Sequence, residues 1–148
     1  MPHPRQVETE LALFTELEIA YLREQPLGRL ATVRQDGVVQ NNPVGFAYNQ
    51  ALETIDIGGH NMAASQKFRN VAAGSTVSLV VDDVISLATF QVRCLEIRGV
   101  AEALPETTDA EGRALGPTIR IRPRRILSFN VDPDNPAAGQ RTVAGEQV

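Results

Sequence analysis

Alternation and turn residues divide the chain into short elements. Thr15-Glu16-Leu17-Glu18 has the form of a capping box. With Phe14 before it and Ile19 after it as a staple, it predicts a helix to about Gln25, stopped by Pro26. The period then changes. Residues 27–33 (LGRLATV) read as a strand, Asp36-Gly37 as hairpin turn chemistry, and 38–48 as the returning strand, with Pro43 forcing an edge or a bulge. Residues 54–57 (TIDI) alternate as a third strand. Gly58-Gly59 ends it, and 65–73 (SQKFRNVAA) follows as a short helix with Phe68, Val71 and Ala72 on its apolar face.

Residues 76–81 form a nearly continuous apolar strand, which Asp82-Asp83 is expected to break. In 93–103 (RCLEIRGVAEA), Cys94, Glu96 and Arg98 alternate with Leu95 and Ile97. An acidic linker over 105–112 carries no core signal, and 118–121 and 125–131 read as the last strands. Consecutive antiparallel strands of this kind point to a barrel or sandwich. Residues 1–14 read as a loose arm, 15–132 as the single domain, and 133–148, rich in Pro, Gly, Ala and Gln, as a disordered tail.

Composition narrows the chemistry. A length of 148 residues suits one domain. Cys94 as the sole cysteine excludes intrachain disulfides and cysteine-rich zinc sites, and two distant histidines, His3 and His60, argue against a protein-built transition-metal site. A net charge of −4 and few aromatics argue against nucleic acid as a partner. No apolar run is long enough for a membrane span and no signal segment opens the chain, so a cytoplasmic protein is expected. There is no nucleophile elbow, Walker loop or dinucleotide fingerprint, and no side chain has the setting of a catalytic acid or base.

Three stretches carry candidate chemistry. Of 14 basic residues, Lys67 is the only lysine, and it lies with Ser65 and Gln66 in the first turn of a helix that follows Gly58-Gly59. Helix amides, a hydroxyl and a compact ammonium suit a phosphate, and Arg69 adds positive potential. An ordinary cap with exposed basic residues is the plain alternative. In Asn41-Asn42-Pro43-Val44-Gly45, backbone groups lacking ladder partners could bind the edge of a planar heterocycle; an edge-strand bulge accounts for the same residues. Arg120, Arg122, Arg124 and Arg125 read as a solvated strand face, or else as a groove for an acidic ligand tail.

Three segments resemble the pyridoxamine 5′-phosphate oxidase-like superfamily of flavin- and deazaflavin-binding proteins: LGRLATVRQDGVVQNNPVGF, its opening hairpin; IDIGGHNMAASQKFRNVAAGSTVSLVVDD, its third strand, phosphate helix and fourth strand; and LEIRGVAEAL. Over roughly residues 27–131 the resemblance implies a mainly β, antiparallel six-stranded split β-barrel. The KFRNV helix and the PRRILSFNVD ending are most similar to an actinobacterial group of F420/FMN-dependent oxidoreductases. The resemblance implies F420 as cofactor, with FMN the alternative, and hydride transfer to a small planar or unsaturated organic substrate. A non-catalytic flavin-binding protein is the remaining reading. It also implies that Lys67, with Ser65 and Gln66 beside it, meets the cofactor phosphate. Ile57, Gly58 and Gly59 would lie near the ribityl chain, and the backbone of Asn41, Asn42, Pro43, Val44 and Gly45 would face the ring. Family members are homodimers with two cofactor sites at the subunit interface, where the C-terminal arginines would suit an oligoglutamate tail.

Overall fold

The computed structural model describes residues 12–136 and 139–143. Helix α1 (Glu16–Glu24) opens on the expected capping box: Glu18 N donates to Thr15 Oγ1 at 3.1 Å, and Thr15 N donates to Glu18 Oε1 at 2.9 Å. Gln25, which precedes Pro26, is already extended. Phe14 belongs to the core rather than to a loose arm. It is 4% exposed and meets the Tyr48 ring edge-on at 5.4 Å. Residues 1–11, the rest of that arm, lie outside the described residues.

The strands are β1 (Gly28–Val33), β2 (Val39–Val44), β3 (Ala47–Asn49), β4 (Thr54–Ile57), β5 (Val77–Ser86), β6 (Gln91–Leu104), β7 (Thr107–Thr108), β8 (Ala114–Leu115), β9 (Thr118–Phe129) and β10 (Arg141–Thr142). A 3₁₀ turn (Met62–Ala64) leads into α2 (Gln66–Ala72). Every pairing is antiparallel, and the main sheet runs β2-β1-β5-β6-β9-β4-β3, with β10 on β9. Six strands of four residues or more thus form the expected sheet, with short β3 and β10 added.

The order of this sheet makes it a barrel. β2 and β3 stand at its opposite ends, yet only Gly45 and Phe46 separate them along the chain. Three Cα steps reach at most about 11 Å, so the two ends must curl around to that distance. They do not pair there, and the wall is split at Gly45-Phe46. Ile55, Ile57, Leu79, Val81, Leu95, Ile97, Ile119, Ile121 and Ile126 fill the interior with no exposed surface. Each stabilises the fold by roughly 1.5–3 kcal/mol through burial.

Several expectations are corrected. The run 38–48 is two strands, because the split falls inside it; Pro43 takes the first of its two expected places, an edge, unbulged on β2 opposite Arg29. Asp82-Asp83 does not break β5. Arg29 holds Asp82 at 2.8 Å and Arg93 holds Asp83 at 2.7 Å, so both carboxylates are satisfied within the strand. Residues 118–131 do not hold two strands; β9 is continuous through Pro123, the register slipping between Arg98 and Gly99. A Cβ on Gly99 would lie 2.2 Å from the Arg122 carbonyl oxygen, so this close approach requires glycine. The linker at 105–112 contains β7, which pairs with β8 as a small hairpin. Beyond Pro133 the chain returns as β10, where Arg141 pairs with the buried Glu18 carboxylate and donates to the Leu13 carbonyl at 2.7 Å. On α2 the residues turned inward are Asn70 and Val71, with Phe68 half-buried against the core; Ala72 is exposed. Asn70 Nδ2 donates to Thr32 Oγ1 at 2.9 Å, which explains a buried amide on that face.

Candidate functional site

A cavity of about 390 Å³ opens where the barrel is split. In the sheet register Asp56 lies between Ala47 on β3 and Arg120 on β9. Two residues further along, Gly45, Gly58 and Thr118 therefore stand side by side, just past the end of β4. They line the cavity together with Phe46, Ala47, Asp56, Gly59, Leu115, Gly116 and Pro117. A Cβ built on Gly45, Gly58 or Gly116 would meet nothing within 4 Å, so the missing side chains leave room for a flat ligand against bare backbone. The surface is mostly apolar, with Asp56 the one carboxylate among the described residues lining it, as expected of a small-molecule site.

That carboxylate is fully engaged. Asp56 Oδ1 accepts from Thr54 Oγ1 at 3.0 Å and from Arg120 Nε at 2.9 Å; Oδ2 accepts from Asn49 Nδ2 at 3.0 Å and from Arg120 Nη2 at 2.9 Å. Four donors meet about four lone-pair sites. Burial raises the Asp56 pKa, but hydrogen bonds from Arg120, Asn49 and Thr54 outweigh it and hold the group below its ordinary value. The hydrogen bond to Asp56 in turn raises Arg120. Asp56 is thus a charged floor with no capacity left to act as a base.

A second concavity, about 550 Å³ and polar, lies between the β1–β2 turn and α2, lined by Arg34, Gln35, Asp36, Gln66, Arg69, Asn70 and Ala73. Arg34 is paired with Asp36, and Arg69 folds back to the Ala64 carbonyl at 2.6 Å and Gln66 Oε1 at 2.9 Å. Two Arg69 donors are thus spent on its own helix and on the 3₁₀ turn before it, while the residue stays exposed.

The sequence-derived site residues are distributed unevenly. Gly45, Gly58 and Gly59 converge on the first cavity. Val44 and Ile57 are core side chains, so only their backbone is near it. Asn41, Asn42 and Pro43 lie along edge strand β2 and line neither concavity. Ser65 is the α2 cap: its hydroxyl accepts from Phe68 N at 3.2 Å and donates to the Met62 carbonyl at 2.6 Å. Gln66 lines the second concavity, where it donates to Asn70 Oδ1 at 2.7 Å. Lys67 is half-buried, and among the described residues it has no hydrogen-bond or ion-pair partner. His60 is exposed in the loop.

The arginine run is not a stripe. Arg120 is 7% exposed and bound to Asp56, Arg122 is paired with Glu102 at 2.8 Å, and Arg125 donates to Thr142 at 3.3 Å. Arg120 and Arg122 are committed to carboxylates, whereas Arg124, which donates to the Pro123 carbonyl at 3.3 Å, and Arg125 have no ion-pair partner among the described residues. Sequence reading missed Phe46, Leu115, Gly116, Pro117 and Thr118; Gly116-Pro117 marks a turn, but nothing local says what it lies beside. Among the described residues no three His, Cys, Asp or Glu side chains gather as a metal site.

The family model described as pyridoxamine 5′-phosphate oxidase matches residues 14–137. The 5a,11a-dehydrotetracycline/5a,11a-dehydrooxytetracycline reductase of Streptomyces rimosus is 46% identical over 123 residues, covering 82% of this chain and 86% of that protein. Among solved structures, a conserved hypothetical protein of Mycobacterium tuberculosis superposes with a TM-score of 0.64 at 20% identity, covering 93% of this chain and 97% of the other. A structure described as an F420 reductase gives a TM-score of 0.52 at 28% identity, covering 71% of this chain and 92% of the other.

Proposed function

Because the chain belongs to the pyridoxamine 5′-phosphate oxidase-like family, we propose that it is a cytoplasmic, homodimeric oxidoreductase using F420 to reduce a small planar or unsaturated organic substrate. It is an oxidoreductase of this family. The observation that carries the reading is 46% identity with a reductase over 82% of the chain. The 28% identity with an F420 reductase favours the deazaflavin over FMN.

The residues present fit such a cofactor. Gly45, Gly58 and Gly59 offer side-chain-free backbone to a planar ring system, and Lys67, which lines neither concavity and has no partner among the described residues, offers its ammonium to a phosphate. Bound F420 would supply the hydride; the chain supplies position and shape. Phe46, Leu115 and Pro117 keep the cavity largely apolar. Asp56, with its acceptor sites filled, keeps a fixed charge under the site without exchanging protons. Among the described residues, the side chains lining the cavity include no free acid or base, so the proton of the reduction would come from solvent.

Titrating the purified protein side by side with F420 and FMN tests the reading. Quenching of F420 fluorescence with saturation at one site per chain supports it. Tight FMN binding with no response to F420 transfers the assignment to a flavin enzyme, and binding of neither refutes both.

A further inference from the structure

Asp56 and Arg120 do more than neutralise one another. Arg120 Nη2, besides its bond to Asp56, stands 3.5 Å from the carbonyl oxygen of Thr108, on the β7–β8 hairpin. That hairpin is an excursion between β6 and β9 that pairs only within itself, and its residues are mostly exposed. A two-stranded ribbon alone is marginal in water, so its position depends on the few bonds tying it to the barrel. Among the described residues, the side-chain bonds that reach it from β9 are the long Arg120–Thr108 contact and that of Thr118 Oγ1, buried at the start of β9, which donates to the Gly116 carbonyl at 2.9 Å. The hairpin carries Leu115, Gly116 and Pro117 to the cavity.

We propose that the buried Asp56–Arg120 pair is a positioning element: it holds the β7–β8 hairpin against the barrel so that Leu115, Gly116 and Pro117 complete the cavity wall and restrict which acceptor fits. The functional meaning rests on the reading above, in which the neighbouring glycines receive the coenzyme. A guanidinium can grip both oxygens of Asp56 and still direct an N–H at Thr108, whereas a lysine ammonium at the same place cannot span all three. Charge alone would pair with Asp56 equally well; the planar fork is what reaches the hairpin.

The test compares wild type with Arg120→Lys, Thr118→Val and the control Arg122→Lys. Melting temperature, amide hydrogen exchange, and iodide quenching of bound F420 or FMN fluorescence are measured for each. Arg120→Lys keeps the charge, and its expected effect is exchange at least tenfold faster in peptides spanning 105–117, with β4, β5 and β6 protected as in wild type. Thr118→Val loosens the same segment through the second bond, and Arg122→Lys leaves it unchanged. Bound coenzyme should become about twofold more open to iodide in Arg120→Lys, while its dissociation constant moves less than threefold. Wild-type exchange at 105–117 in both Arg120→Lys and Thr118→Val overturns the proposal. So does a uniform rise across the barrel with a lower melting temperature, which would make the pair merely stabilising. Local loosening without greater quenching also overturns it, because the hairpin would then not wall the site. If neither coenzyme binds wild type, the redox reading alone fails, and the exchange rates still decide whether the pair holds the hairpin.

Discussion

Asp56 on β4 and Arg120 on β9 are register partners, and their side chains meet through two 2.9 Å hydrogen bonds with each less than a tenth exposed. A pair this enclosed is costly to break, because the survivor is left as an uncompensated charge; removing one partner costs about 3–5 kcal/mol.

The pH dependence follows from the depressed Asp56 pKa. A carboxyl held below its unfolded value, about 3.9, contributes stability that is fully present above that pH and is lost as pH falls through the folded value. The wild type should therefore lose melting temperature steeply below about pH 4. Asp56→Asn should melt lower at pH 7 and show a flatter acid limb. Thermal melts from pH 3 to 8 check both.

Lys67→Ala should weaken coenzyme binding by roughly 10–100-fold, the worth of one charged hydrogen bond. Its effect on unfolding free energy should stay within about 0.5 kcal/mol, since the side chain has no partner to lose among the described residues. Fluorescence titration and urea unfolding separate the two. Unchanged binding together with a sharp loss of stability would make Lys67 structural.

Gly58→Val tests the cavity by filling it. A Cβ there meets nothing within 4 Å, so the barrel should fold with a stability change under about 1 kcal/mol. Coenzyme binding should be lost. A variant that binds normally would move the site elsewhere.

Gly99→Ala makes the opposite prediction. Its Cβ would enter the space of the Arg122 backbone carbonyl at 2.2 Å, and neither strand can shift without breaking the β6–β9 ladder. A loss of at least about 1–3 kcal/mol is expected, the usual cost of overpacking, and chemical denaturation measures it.

How much of this was legible beforehand depends on distance along the chain. The Thr15–Glu18 box, the Asp36-Gly37 turn and the inward Leu95 and Ile97 were all readable, because each depends on neighbours within a few residues. The same local rules misjudged Asp82-Asp83 and Pro123. Asp82 and Asp83 are satisfied by Arg29 and Arg93 on adjacent strands, and the irregularity around Pro123 is absorbed by a glycine on β6.

By itself, then, the sequence determined the β-rich alternation, the helix caps and the glycines whose bare backbone a ligand can approach. Only the tertiary structure decided that Gly45 and Gly58 would adjoin, that a hairpin from a seemingly featureless linker would complete their cavity, and that Arg120 would be buried rather than solvated. The reason is physical: Arg120 finds its carboxylate 64 residues away. Whether an arginine faces water or a buried partner is settled by barrel closure, which no local pattern encodes.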